Sequence, residues 1–347
     1  MSHWMNGITV LALLLVVCAC GTTEPASNSG EESGGTDAAP GEEGAEASGE
    51  DSDAAGTGED LGADAESGED IQDTASPPSQ SRDELMAQTF GGDRNVSFHL
   101  PENVEGASDW PMVILLHGFS ASGWLQDVYF NVSARVTELG FILLIPDGIP
   151  NADGQLFWNA TDACCDWYGE GADDVAFLSD LIDEGIAKLP VDPKRVFLLG
   201  HSNGGFMSYR MACDAADRVA GIASIAGASW KDPSLCTPSE PVSVLQIHGT
   251  LDFTIPLDGD FTKPSAEESA LQFVAHDGCD RESTSSDMSL DYDAVILGAE
   301  TRVTAWTGCE KGSAVQLWTM EGTGHIPGFQ PAFLADVMDF FLAHPKP

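Results

Sequence analysis

Short apolar segments alternate with amphipathic ones from residue 94 to the end of the sequence. Residues 95–100 alternate between apolar and polar side chains, a pattern that predicts an edge strand. Continuously apolar runs, such as 112–116, are typical of strands buried on both faces of a parallel sheet. The other strands are predicted at 141–145, 195–199, 221–225, 242–247, 301–306 and 315–318.

Helices are predicted between these strands, where apolar residues recur on one helix face. One helix begins after Asp173 or Asp174, either of which is a good N-cap, and continues to Lys188. The other helices are predicted at 125–139, 206–212, 266–275 and 331–342. Because strands and helices alternate, the pattern predicts an α/β fold, a three-layer sandwich with a mainly parallel central sheet.

The first 84 residues differ in composition from the rest. Residues 8–17 form an apolar run of signal-peptide length, and 1–20 are predicted to be a signal peptide. The lipobox-like VCACG at 17–21 makes Cys20 the expected lipidation site, with Cys18 as a second candidate. A cleaved signal with a secreted product is the alternative. Residues 21–84 are rich in Gly, Ala, Ser and Glu, which predicts a disordered acidic tether. One folded domain is then expected at 85–347.

The chain is strongly acidic, with a formal net charge of −42. Residues 21–80 contain 17 Asp and Glu and no Lys or Arg, so most of the negative charge lies on the rest of the chain. Such a surface repels phosphates, which excludes a nucleic-acid partner and disfavours polyanionic substrates. We expect membrane contact only through the N-terminal lipid anchor.

Six cysteines follow the tether, an even number that indicates disulfides in an exported protein. Closeness along the chain favours two pairs, Cys213 with Cys236 and Cys279 with Cys309. The adjacent Cys164 and Cys165 are then left either as a vicinal bridge or as free thiols. The sequence contains no C-x-x-C, H-E-x-x-H or EF-hand spacing, so we expect neither a metal nor a cofactor.

The hexapeptide GHSNGG at 200–205 carries the clearest chemical signal. It follows a predicted strand and precedes a predicted helix, which is the context of the G-x-S-x-G nucleophile elbow. Ser202 is then the nucleophile. Gly200 and Gly204 lack the Cβ atoms that would clash when the serine adopts its strained backbone conformation.

A serine hydroxyl is a good nucleophile only when a base accepts its proton. In folds with this nucleophile elbow, the histidine that acts as the base follows the Asp or Glu of the triad in the chain. His325 is our candidate because it lies in a glycine-rich loop between the predicted strand 315–318 and the last helix. His276 and His344 are weaker candidates, at a helix end and near the C-terminus. Three other histidines are expected to brace loops by hydrogen bonds: His117, His201 and His248.

The acid and the oxyanion donors are predicted from neighbouring loops. Asp252 closely follows the strand at 242–247, whereas its rivals Asp258 and Asp260 lie further past the strand end. The oxyanion needs two backbone N–H groups. Asn203 supplies one because it follows the nucleophile, and Phe119 is our choice for the other.

Several aromatic residues lie near the predicted strand ends. Trp124, Trp158 and Trp230 are candidates for lining an acyl pocket, and Trp167 and Tyr168 are further ones. For each of them, packing in the core is the alternative.

From about residue 88 to 345 the sequence resembles the bacterial polyhydroxybutyrate depolymerase and feruloyl esterase-like family of extracellular α/β-hydrolase serine esterases. The motifs that carry the resemblance occur in one order: LHG at 116–118, FWNA at 157–160, CC at 164–165, DDVAF at 173–177, GHSNGG at 200–205, HGTLD at 248–252, and GH at 324–325 with PG at 327–328. The resemblance implies the same Ser202, Asp252 and His325 triad and supports the Cys279–Cys309 pairing. It also implies hydrolysis of acyl-carbohydrate or polyester substrates.

The functional hypothesis is an exported serine esterase that works through an acyl-enzyme. Feruloyl and acetyl esters of carbohydrates, including those of plant cell walls, and hydroxyalkanoate oligomers are its expected substrates. Members of the family usually have a tryptophan two residues after the catalytic histidine, where this chain has Pro327. A serine peptidase on the same fold and a non-catalytic surface-displayed binding protein are the alternatives.

Overall fold

The structure is a computed structural model that describes residues 80–106 and 109–347. The predicted signal peptide and residues 21–79 of the predicted tether lie outside the described residues. The strands are β1 Val96–His99, β2 Trp110–Leu116, β3 Ile142–Pro146, β4 Ile149–Pro150, β5 Leu156–Phe157, β6 Val191–His201, β7 Gly221–Ile225, β8 Ser243–Gly249, β9 Ser283–Ser285, β10 Thr301–Trp306 and β11 Val315–Met320. The α-helices are α1 Arg82–Met86, α2 Gly123–Phe130, α3 Val136–Leu139, α4 Asp174–Lys188, α5 Asn203–Asp214, α6 Ala266–His276 and α7 Pro331–Ala343.

Nine of these strands form one sheet, in the order β1-β3-β2-β6-β7-β8-β11-β10-β9. The central strands from β3 to β11 pair in parallel. The antiparallel strands are confined to the two edges, where β1 pairs with β3 and β10 pairs with β11 and β9. The predicted mainly parallel sheet is therefore confirmed.

Helices cover both faces of this sheet because its central strands are apolar on both sides. Along β2, Met112 and Ile114 face one apolar cluster, while Val113 and Leu115 face the other. The first cluster includes residues of α4, α5 and α6, and the second includes residues of α2, α3 and α7. This arrangement is the predicted three-layer sandwich, and it exposes the carboxyl ends of the parallel strands at one edge.

The helix predicted at 125–139 is interrupted, which corrects the sequence analysis. The α2 helix ends at Asn131, whose φ of 54° is in the left-handed region. The carboxylate of Asp127 then accepts hydrogen bonds from the N–H and hydroxyl of Ser133 at 2.7 and 2.6 Å and fixes the turn before α3. Asparagine tolerates the left-handed conformation better than most residues, so the helix ends there.

The structure also contains elements that periodicity did not predict. The β4–β5 hairpin has only two residues in each strand, and β9 is entirely exposed and polar. The α1 helix includes residues 82–84, which the sequence analysis assigned to the tether. A capping box between Ser81 and Glu84 and the buried Leu85 explain this short helix.

The two predicted aspartates at the start of α4 have different roles. Asp173 is the N-cap, and its carboxylate accepts the N–H of Ala176 at 3.0 Å. Asp174 is buried and forms an ion pair with Arg94 at 2.5 Å. Its second oxygen accepts the N–H of Asn159 at 2.7 Å, which ties α4 to the segment after β5.

Three disulfides are present in the described residues. They join Cys213 to Cys236, Cys279 to Cys309, and the adjacent Cys164 and Cys165. The open question about the adjacent cysteines is therefore answered in favour of a bond. Across 80–106 and 109–347, none of the helices is both long enough and apolar enough to cross a bilayer.

A buried carboxylate lies at the C-terminal end of α6. Asp277 is the C-cap of this helix and is fully buried. Burial, assisted by the nearby charge of Glu310, raises the pKa of Asp277 to about 7. The negative end of the helix dipole also disfavours the ionised form.

This carboxylate should make the stability of the protein depend on pH. The folded state holds the proton of Asp277 up to about pH 7, whereas the unfolded chain releases it near the ordinary aspartate pKa of 3.8. The wild type therefore loses free energy of unfolding as the pH rises through this window, by up to about 1.4 kcal/mol per pH unit. Asp277→Asn removes the titration, so the stability of the variant relative to wild type should rise from pH 4 and level off above pH 7.

Denaturant unfolding of Asp277→Asn and wild type across this pH range measures the difference. Asp280→Asn is the matched control because Asp280 is nearby but exposed. A stability difference for Asp277→Asn that does not change with pH would contradict the assignment.

Candidate active site

Ser202 lies at a turn between β6 and α5 at the carboxyl edge of the sheet. Its φ is 53° and its ψ is −118°, and its N–H donates to the carbonyl of Ile225 at 2.8 Å. A Cβ on Gly200 would lie 2.1 Å from the carbonyl oxygen of Gly204, and a Cβ on Gly204 would lie 2.2 Å from that of Leu116. Because both contacts are impossible for real atoms, the motif needs glycine at both positions.

The predicted base and acid lie next to this serine. The imidazole Nε2 of His325 is 3.0 Å from the hydroxyl oxygen of Ser202. The Nδ1 of the same ring is 2.8 Å from the carboxylate oxygen Oδ2 of Asp252. Since a carboxylate only accepts, Nδ1 carries the proton, and the lone pair on Nε2 is free to accept the serine proton.

The carboxylate of Asp252 is buried and held by several donors. Its Oδ1 accepts the N–H groups of Thr254 and Ile255, each at 2.9 Å. Burial opposes ionisation, but the hydrogen bonds from His248, His325 and the Ile255 backbone outweigh it and hold the pKa of Asp252 well below its ordinary value. Asp252 is thus ionised at neutral pH and can stabilise a positive charge on His325.

Two of the other histidines brace this arrangement. His201 is buried, and its Nε2 lies 2.8 Å from the backbone carbonyl of His325, to which it donates. Burial, assisted by the neighbouring His325, lowers the pKa of His201 to about 3. His248 accepts from the Gln246 amide at 3.0 Å through Nδ1, so its Nε2 carries the proton. This N–H is shared between the carbonyl of Ile255 at 2.8 Å and the carboxylate of Asp252 at 3.5 Å.

The loop after β2 contains the other predicted oxyanion donor. The N–H of Gly118 donates to Gln126 Oε1 at 3.2 Å, and the N–H of Ser120 donates to the Leu156 carbonyl at 2.8 Å. Of these three successive amides, only that of Phe119 has no hydrogen-bond acceptor among the described residues. Phe119 is therefore the amide in this loop that can serve an oxyanion. The N–H of Asn203 lies at the start of α5, which is the positive end of the helix dipole.

His117 fixes the shape of this loop. Its Nε2 accepts the N–H of Gly148 at 2.9 Å, so its Nδ1 carries the proton and donates to the Gly118 carbonyl at 2.8 Å. Burial lowers the pKa of His117 to about 4, and the ring is therefore neutral at pH 7. The neutral His117 therefore braces the loop that contains the Phe119 N–H.

The predicted aromatic pocket residues lie in different environments. Trp158 is 0% exposed, with its indole N–H donating to the His117 carbonyl and its backbone N–H donating to Asn203 Oδ1. Trp158 therefore packs in the core against residues of the site, so of the two alternatives offered for this residue core packing is correct and pocket lining is wrong. Trp230 is half-buried over the guanidinium of Arg210. Trp124 is 69% exposed on α2 and can contact a ligand.

Four residues around the site were not predicted from the sequence. Gln126 and Tyr129 both project from α2, and the hydroxyl of Tyr129 donates to the carbonyl of Pro327 at 2.7 Å, next to the His325 loop. Leu251 and Phe253 flank Asp252 and are 50% and 89% exposed. The only sequence signal for the last two was their position beside the predicted acid.

Comparisons with known proteins agree with this fold. A model of the family described as Phospholipase/Carboxylesterase matches residues 105–276. Feruloyl esterase B of Piromyces equi is 28% identical over 247 residues, covering 68% of this chain and 43% of that protein. Feruloyl esterase D of Neurospora crassa is 25% identical over 250 residues, covering 68% of this chain and 75% of that protein.

A solved structure shares the fold. An acetyl xylan esterase from Aspergillus awamori matches with a TM-score of 0.53 at 16% identity, over 72% of this chain and 94% of that one. The chain spans less than half the length of the Piromyces equi relative. The comparisons confirm the α/β-hydrolase fold and the resemblance to feruloyl esterase-like proteins.

The reactivity of Ser202 should depend on Asp252. Asp252→Asn leaves the shape of the site but removes the acceptor that keeps the proton on Nδ1 of His325, so the rate of Ser202 labelling by a fluorophosphonate should fall by about a thousandfold or more. Intact-mass measurement of labelling over time checks this. Asp258→Asn is the control because Asp258 is a nearby exposed carboxylate. Equal slowing in both variants would contradict the role of Asp252.

Proposed function

Because the chain has an α/β-hydrolase fold with a hydrogen-bonded serine, histidine and aspartate at its sheet edge, we propose that it is a serine esterase. The observation that carries the proposal is the continuous contact from Ser202 Oγ to His325 Nε2 at 3.0 Å and from His325 Nδ1 to Asp252 at 2.8 Å. The names of the feruloyl esterase relatives support the same reaction.

Acylation is the first half of the proposed reaction. Ser202 Oγ attacks the ester carbonyl while His325 Nε2 takes the hydroxyl proton. The positive charge that develops on His325 is stabilised by the ionised Asp252. The N–H groups of Phe119 and Asn203 donate to the carbonyl oxygen as it becomes negative. When the tetrahedral intermediate collapses, the proton on Nε2 passes to the leaving alcohol.

Deacylation repeats these steps with water. His325 takes a proton from the attacking water, the same N–H groups hold the oxyanion, and Ser202 leaves with the proton returned by His325. The free acid is released and the serine is regenerated. The cycle therefore transfers the acyl group first to Ser202 and then to water, with His325 carrying the protons.

We propose that the substrates are neutral or weakly charged esters. Feruloyl or acetyl esters of carbohydrates, with plant cell-wall esters among them, are favoured by the names of the relatives and of the structural neighbour. Hydroxyalkanoate oligomers remain a second candidate from the sequence resemblance. The exposed rings of Trp124, Trp167 and Phe253 offer apolar surface around the site for an acyl group. The net charge of −42 disfavours binding of polyanionic substrates.

A substrate panel tests the proposal. The wild type should hydrolyse at least one of p-nitrophenyl acyl esters, methyl ferulate, acetylated xylan and hydroxybutyrate oligomers. Ser202→Ala should lower kcat by more than about a thousandfold, because the nucleophile is removed. Ser234→Ala, an exposed serine, is the control and should keep wild-type kcat.

Two outcomes would contradict the proposal. A preference for peptide amides over every ester would favour a serine peptidase on the same fold. A folded wild type that neither hydrolyses an ester nor reacts with a fluorophosphonate would favour a non-catalytic binding protein.

We also propose that the protein is exported and anchored by a lipid on Cys20. The support is the lipobox-like end of the signal-peptide pattern, together with disulfides that suit an oxidising compartment. Residues 21–79 would then hold the enzyme away from the membrane.

Fractionation of a bacterial host tests the anchor. Cys20→Ser should move the protein from the membrane fraction to the soluble fraction, because the acylated thiol is lost. Cys18→Ser is the matched control and should stay with the membranes. A Cys20→Ser protein that remains membrane-bound would refute the assignment.

A further inference from the structure

A buried disulfide joins Cys164 and Cys165 in the loop between β5 and α4. The two side chains are 5% and 4% exposed. None of the proposed proton-transfer or acyl-transfer steps uses these sulfurs. Their surroundings nevertheless connect them to the oxyanion donors.

One sulfur contacts the side chain of Asn203, whose backbone N–H is a proposed oxyanion donor. The amide nitrogen Nδ2 of Asn203 lies 3.4 Å from Cys164 Sγ. The same side-chain amide makes two hydrogen bonds with the backbone of Trp158. Its Nδ2 donates to the Trp158 carbonyl at 2.9 Å, and its Oδ1 accepts the Trp158 N–H at 2.8 Å. The Asn203 side chain therefore sits between the Trp158 backbone and the disulfide.

The same loop contacts the other proposed donor residue. The ring of Trp167, two residues after the disulfide, lies 4.7 Å from the ring of Phe119, measured between centroids. The loop at 161–168 thus contacts the side chains of both residues whose N–H groups are expected to hold the oxyanion. A change in this loop would act on both donors together.

The turn that carries the disulfide is also attached to the nucleophile helix. The backbone N–H groups of Cys164 and Thr161 each donate to the carbonyl of the other residue, at 3.0 and 2.8 Å. The preceding carbonyl of Ala160 accepts from Arg210 on α5 at 2.8 Å. Helix α5 begins directly after Ser202. The same helix therefore contacts the disulfide turn through Arg210 and follows the proposed nucleophile directly.

From these contacts we propose that the Cys164–Cys165 disulfide is a positioning element of the oxyanion hole, and that turnover depends on its being oxidised. This inference rests on the proposed esterase function. Reduction by a dithiol breaks the S–S bond, adds one hydrogen to each sulfur and converts the dithiol into its own disulfide. Two thiol sulfurs need more separation than bonded sulfurs, which lie about 2.05 Å apart. The buried Cys164 sulfur then has to move relative to the Asn203 amide.

Loss of the Cys164–Cys165 disulfide should lower kcat and leave KM nearly unchanged. Oxyanion hydrogen bonds strengthen as charge develops, so a displaced donor weakens binding of the transition state more than binding of the substrate. Removal of a whole oxyanion donor lowers kcat by about 100- to 1000-fold. A donor that is displaced but not removed is therefore expected to cost about tenfold in kcat.

The experiment compares two full-length double variants on an ester that the wild type hydrolyses. Cys164→Ser/Cys165→Ser should show about tenfold lower kcat, with KM changed by less than about twofold and a fold intact by circular dichroism. Cys279→Ser/Cys309→Ser removes a disulfide away from the elbow and should keep wild-type kcat below its unfolding temperature. Wild-type kcat in the first variant would overturn the proposal.

A second measurement does not depend on cysteine substitution. Wild-type protein is treated with dithiothreitol, and alkylation followed by peptide mass analysis counts the free thiols at residues 164 and 165. We expect kcat to fall with the reduced fraction of this pair and to return on reoxidation. An unchanged kcat in fully reduced, folded protein would overturn the proposal.

A double-mutant cycle tests whether the disulfide acts through Asn203. In an Asn203→Ala background, loss of the cysteine pair should lower kcat by less than it does in the wild type, because the contact is already gone. If loss of the cysteine pair lowers kcat by the same factor in both backgrounds, the proposal that the disulfide acts through Asn203 is overturned. If the wild type neither hydrolyses esters nor labels at Ser202, the proposed function fails instead.

Discussion

The site depends on one steric constraint, the close approach of α5 to the ends of β2 and β6 around Ser202. The serine has a φ of 53°, and the helix begins at the next residue. This approach is possible because Gly204 has no Cβ, which would otherwise lie 2.2 Å from the Leu116 carbonyl oxygen. It brings the first N–H of α5 beside the loop that follows β2. The proposed nucleophile and the two proposed oxyanion donors therefore have a common structural origin.

Burial then assigns different chemical roles to similar side chains at this edge. His117 and His201 are buried and have lowered pKa values, so they act as neutral hydrogen-bonding braces. A charged His201 would repel the imidazolium that the proposed reaction forms on His325, and a neutral His201 avoids this repulsion. Asp252 is also buried, but its hydrogen-bond donors keep it ionised. Asp252 is thus a fixed negative charge beside the ring on which the proposed reaction develops a positive charge.

Most of the fold and the three central site residues could be predicted because they follow buried strands of a parallel sheet, whose carboxyl ends meet at one edge. The break in the helix at Asn131 could not, since left-handed backbone at one residue leaves the apolar periodicity unchanged. For Trp158 the sequence left pocket lining and core packing open for a related reason, because a large apolar ring suits a pocket or a core equally well. Its bond to the His117 carbonyl is a tertiary contact that no local pattern predicts. The same holds for the contact between Asn203 and Cys164.

We propose that Ser202 carries the acyl group during turnover, with His325 as the base and Asp252 as the carboxylate that orients it. Rapid acid quench of the enzyme with p-nitrophenyl acetate, followed by peptide mass analysis, measures this intermediate directly. We expect an acetyl group on the peptide that contains Ser202, formed at the rate of the initial release of p-nitrophenol. Steady hydrolysis without acetylated Ser202, or with the acetyl group on another residue, would contradict it.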